Sequence, residues 1–88
     1  MILKLLTDNT YVNLNNKFTH FLITKGSRKY FIQGSYPSES EGYKFVTLHE
    51  ADDEVIAQTI LDEIIHRWIS GDKYCNISDI LDAIKEAE

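Results

Sequence analysis

The apolar pattern of this chain changes period near residue 51, and that change sets the fold class. Up to Glu50 the apolar and aromatic residues fall in short β-branched runs broken by turn residues; from Asp52 they recur every three to four residues. Charge changes with period. Residues 1–50 carry six Lys/Arg against four Asp/Glu, and residues 51–88 carry three against ten. A chain of 88 residues has room for one hydrophobic core, to which both halves must contribute. A single α+β domain over 1–88 is expected, β-rich over 1–50 and α-helical over 51–88.

Ile2 to Leu6 reads as a short strand that the turn-rich stretch from Thr7 to Thr10 ends. Tyr11 to Leu14 resumes in extended form before Asn15 and Asn16, so the two pieces make either one tight hairpin or two edge segments. Phe18 to Thr24 and Arg28 to Gln33 flank a break at Lys25, Gly26 and Ser27, which spells a β-hairpin. Pro37 and the polar residues 38–42 read as a loop. Tyr43 to His49 then alternates, with Tyr43, Phe45, Thr47 and His49 on one face and Lys44, Val46 and Leu48 on the other. It is expected as a third antiparallel strand, partly buried on both sides.

Asp52 or Asp53 can cap a helix whose apolar stripe is Ile56, Ala57, Ile60, Leu61, Ile64, Ile65 and Trp68, and Gly71 is placed for a left-handed C-cap. A second, three-turn helix beginning near Asn76 or Ser78 would bury Ile77, Ile80, Leu81 and Ile84. The expected architecture is a three- or four-stranded antiparallel sheet followed by a long helix packed on one face and a short C-terminal helix. The long helix carries more apolar surface than one sheet face needs. The excess should meet the second helix or another subunit.

Composition narrows the function classes. The single cysteine, Cys75, excludes an internal disulfide and suits a reducing cytoplasm. Met1 to Leu6 is too short for the apolar core of a signal peptide, and no apolar run approaches the ~20 residues that cross a bilayer. A cytoplasmic protein without membrane contact is expected. The net charge of −5 argues against general coating of nucleic acid. His20, His49 and His66 are dispersed and lack the short spacings of a metal site. Cys75 has no neighbouring His base and reads as a buried apolar side chain. Asp52, Asp53 and Glu54 complement a helix dipole, and the four glycines form no phosphate-binding loop. No catalytic residue, metal or cofactor is expected.

Two charged surfaces remain as candidates. Lys25, Arg28 and Lys29 beside Tyr30 form the one concentrated basic patch, whose cations could grip a phosphate backbone while the ring stacks a base. The plain alternative is a solvated hairpin tip. Asp62, Glu63, Asp79 and Asp82 belong to the acidic helical half and could face a basic partner, or serve solubility alone. The leading expectation is a non-enzymatic module that binds a protein partner through its acidic helical face or forms a homodimer through spare apolar area on the helices; nucleic-acid binding through the basic tip is the alternative.

Asn13, Asn15 and Asn16 leading into Phe18-Thr19-His20-Phe21, the run from Tyr30 to Gly34, and an acidic helix ending in Trp68-Ile69-Ser70-Gly71 give the chain a recognisable style. With its Asn, Lys and Ile richness, it resembles the small proteins encoded by phages and prophages of low-GC Gram-positive bacteria. That resemblance implies a protein of AT-rich coding origin, in a group some of whose members bind and inhibit host factors, defence nucleases among them. It assigns no role to any residue.

Overall fold

Eight elements follow one another in a computed structural model that describes residues 1–6, 10–15, 18–40 and 42–87. They are β1 (Ile2–Lys4), β2 (Tyr11–Asn13), β3 (His20–Lys25), β4 (Tyr30–Ser38), β5 (Gly42–Ala51), α1 (Glu54–Ile69), β6 (Tyr74–Asn76) and α2 (Ile77–Ala87). The class is α+β, as the period change requires.

The strands form two three-stranded sheets rather than one. β3, β4 and β5 make an antiparallel sheet in that order, and β1 lies between antiparallel β2 and parallel β6 in the other. The first two strands are therefore a hairpin. β6 corrects the expectation of a wholly helical second half. Its three residues are too few to show a period, and they become a strand because Leu3 and Cys75 meet in register, both buried.

The segment around Pro37 is also corrected, from loop to strand. β4 runs on to Ser38, with Pro37 opposite Tyr43 of β5. Proline is tolerated because β3 pairs only as far as Ser35, so its missing N–H points to a side where no described strand lies. Further along, a bulge opposite Ile32 and Gln33 puts an extra residue into β5 at Leu48. Leu48 is buried, and His49 pairs with Ile32 on the inner face. His49 thus leaves the face that Tyr43, Phe45 and Thr47 share, where strict alternation had placed it.

Helix α1 begins and ends as its sequence dictates. The Asp53 carboxylate accepts from the backbone N–H of Val55 at 2.6 Å and of Ile56 at 3.4 Å. At the other end Gly71, with φ of +96°, donates to the Trp68 carbonyl while Asp72 donates to that of Arg67, a Schellman closure. Asp53→Ala should cost about 0.5–2 kcal/mol, read as a lower thermal midpoint. α2 starts after Asn76, whose side chain accepts from Ser78 N–H at 3.0 Å.

One core joins the two sheets and both helices. Leu3, Leu14, Ile32, Ile60, Ile64, Ile77 and Ile80 are among its fully buried members, with Ala57 and Cys75. On the helix side of β3–β5, Phe21 faces Gly34 across the strands and sets its ring edge-on to Trp68 at 5.7 Å. The stripe on α1 is consumed except at its first residue, Ile56, which stays exposed together with Val55 and Ile69 beside the stripe.

Candidate functional site

A single long helix can cover only one face of a three-stranded sheet. Here α1 packs on the face of Phe21 and Ile32, so the pleat turns Leu22, Phe31, Gln33, Tyr43, Phe45 and Thr47 to the other. Among the described residues no element covers that face. Tyr43 is 56% and Phe45 55% exposed. Exposed aromatic side chains side by side on a strand are costly to hydrate and are the usual anchors of protein contacts.

The face is held in a fixed arrangement. Thr24 Oγ1 donates to Gln33 Oε1 at 2.9 Å, and Gln33 Nε2 donates to Thr47 Oγ1 at 3.2 Å, a polar rung across all three strands. His20 lies edge-on to Tyr43 with ring centroids 6.0 Å apart, and its Nδ1 sits 2.9 Å from the Thr19 hydroxyl. These contacts restrict the side chains, and an ordered face carries a lower ordering cost in any contact it makes. Among the described residues no charged side chain interrupts the aromatic centre, and the Lys29–Glu50 ion pair at 3.5 Å lies toward the hairpin end.

The basic tip is less concentrated than its sequence implies. Gly26 N–H donates to the Lys29 carbonyl at 2.8 Å and closes the turn. Lys25 and Arg28 are exposed, Lys29 is drawn to Glu50, and Tyr30 is half-buried against the core. The Tyr30 ring, offered from sequence as a stacking surface, is thus engaged in packing.

The acidic candidates are spread over two helices. Asp62 accepts from Gln58 Nε2 at 2.8 Å and borders a shallow groove with Phe21, Ile65, His66 and Ile69. Glu63 accepts from Arg67 Nε at 2.9 Å, which raises the Arg67 pKa and engages the carboxylate. Asp79 and Asp82 are exposed on α2. Cys75 is buried; burial pushes its thiol up, against the opposing pull of the Arg67 guanidinium.

His49 lies elsewhere, at the far end of β5. A cavity of about 430 Å³ is lined by Leu5, Leu6 and Lys29 together with Thr47 to Glu50 of β5. Burial lowers the His49 pKa below its ordinary 6.5, with Glu50 opposing. The folded imidazole therefore resists the proton that the unfolded one accepts. Stability should hold above pH 6.5 and decline as pH falls below it, toward the depressed folded value. Urea titrations of wild type and His49→Gln across that window check this, and the variant should show the shallower decline.

Among the described residues no group of three or more His, Cys, Asp or Glu could hold a metal ion, and no helix is long and apolar enough to cross a membrane. Sequence reasoning set Tyr43 and Phe45 on one strand face but assigned that face partial burial. Counting elements would have found it, since one long helix leaves the second face open. No family model, curated protein or solved structure matches the chain.

Proposed function

We propose that this chain is a small non-enzymatic, cytosolic binding module that acts by protein–protein contact through the uncovered face of β3, β4 and β5. The observation that carries this reading is the pairing of Tyr43 and Phe45, both more than half exposed, on a face where Thr24, Gln33 and Thr47 are already tied to one another. Charge-poor aromatic centres with a polar surround are what interface cores look like. The acidic helix α1 lies across the opposite side of the sheet, with α2 beside it. In a phage-encoded setting, the partner would be a host protein.

Nucleic-acid binding is the competing reading, favoured by Lys25 and Arg28, which no carboxylate pairs with among the described residues. A tagged pull-down with and without nuclease separates the two. Recovery of a stoichiometric protein should survive nuclease, survive Lys25→Glu/Arg28→Glu/Lys29→Glu, and survive Asp62→Lys/Asp79→Lys/Asp82→Lys. It should be lost with Tyr43→Ser/Phe45→Ser. Undiminished recovery by that last variant would overturn the sheet-face assignment. Loss on nuclease treatment and on reversal of the tip would establish the competitor.

A further inference from the structure

The outer edge of β5 adds backbone chemistry to the aromatic face. Ser35 of β4 turns its carbonyl toward β3, where it accepts from Thr19 N–H at 2.9 Å. Its peptide groups therefore point away from β5, and those of Phe45, its register partner, point away from β4. Tyr43, two residues on and opposite Pro37, has the same orientation. Both residues direct N–H and C=O outward along an edge that no described strand occupies. Such an edge is completed by another extended chain.

We infer that a second copy of this chain supplies that strand, pairing antiparallel along β5 about a two-fold axis at Phe45, so that two three-stranded sheets become one of six. This deepens the proposed function, on which it rests, by naming the partner of the edge.

Register selects the centre. The outward-facing groups of Tyr43, Phe45 and Thr47 allow hydrogen-bonded pairs only among those residues, so a two-fold that forms more than one such pair can fall at Lys44, Phe45 or Val46. Centring on Lys44 would set two ammonium groups against each other. Centring on Val46 would draw Leu48 and the bulge into the ladder, and Leu48 is committed to the core. Centring on Phe45 places ring beside ring, Tyr43 opposite Thr47 of the other copy, and Lys44 opposite Val46. Lys44 then acts as the residue that forbids the neighbouring register.

Charge also favours this edge. Two chains of net charge −5 repel, and ten of the fourteen acids lie beyond residue 51. From Gly42 to His49, β5 carries Lys44 and no acid. Copies can approach here with least repulsion, and added salt should tighten the dimer by screening the remainder. That response is opposite in sign to phosphate binding.

Sedimentation equilibrium tests this with complementary variants. Wild type should sediment at twice the chain mass, more completely as salt is raised. Phe45→Lys and Phe45→Glu, each placing like charges on the axis, should each sediment at the single-chain mass. An equal mixture of the two should return to the doubled mass, because residue 45 then meets its opposite charge. Far-UV spectra check that both variants are folded, and Phe45→Thr, an uncharged β-former, should weaken the dimer in case a charge disturbs the strand. A wild type of single mass throughout, or a charged variant that stays doubled, would overturn the inference. If a monomeric wild type still captures its partner through Tyr43 and Phe45, the dimer alone is wrong. If the dimer stands but Tyr43→Ser/Phe45→Ser retains that partner, the sheet-face function is wrong.

Discussion

Ile64→Ala should lower the free energy of unfolding by about 2–5 kcal/mol, the range for removing a buried branched aliphatic side chain and leaving its cavity. Ile64 is fully buried on the side of α1 that faces the sheet. A domain of this length holds about 4–13 kcal/mol in total, so a loss of about 5 kcal/mol would unfold a large share of the protein only where its stability lies at the lower end of that range. Ile69→Ala, on the same helix but 81% exposed, should change stability by no more than about 0.5 kcal/mol. Paired urea titrations measure both. Equal losses at the two positions would mean that Ile69 is covered in solution.

Gly34→Ala should cost about 1–3 kcal/mol by overpacking. A Cβ built on Gly34 lies 2.7 Å from two atoms of the Phe18 ring and 3.2 Å from Phe21. Phe18 is itself wedged, with the Phe21 and Tyr36 ring centroids 5.7 and 5.9 Å away. An aromatic ring lying over a cross-strand glycine is a known way to fill the gap that the missing side chain leaves. Removing the ring should make the site permissive, so Gly34→Ala in a Phe18→Ala background should cost less than in wild type. A double-mutant cycle gives that coupling directly. Additive losses would place the strain in the backbone rather than in the ring.

The helices were legible because their signals are local. Asp53 caps, the stripe from Ala57 to Ile64 faces inward, and Gly71 closes the helix in a left-handed conformation. The β3–β4 hairpin was equally plain from its two apolar runs. What escaped depended on partners distant in sequence. β6 is a strand only because β1 lies beside it, and Pro37 is admitted to β4 only because β3 stops short. His49 changes face through a bulge that no alternation can reveal. The surface residues singled out from sequence occupy the expected elements, but Asp62, Glu63, Lys29 and Tyr30 are already engaged. The uncovered face could be read only after the number of layers was known.

Backbone amide exchange at Tyr43 and Phe45, followed from dilute to concentrated protein, bears most directly on β5 as the contact strand. Both N–H groups point outward from the sheet, so in dilute solution they should exchange far faster than those of Lys44 and Val46, which face β4. With rising concentration they should become protected as the second strand arrives, while Lys44 and Val46 hardly change. Exchange at Tyr43 and Phe45 that stays fast at every concentration, or protection appearing instead on the acidic helices, would contradict the account.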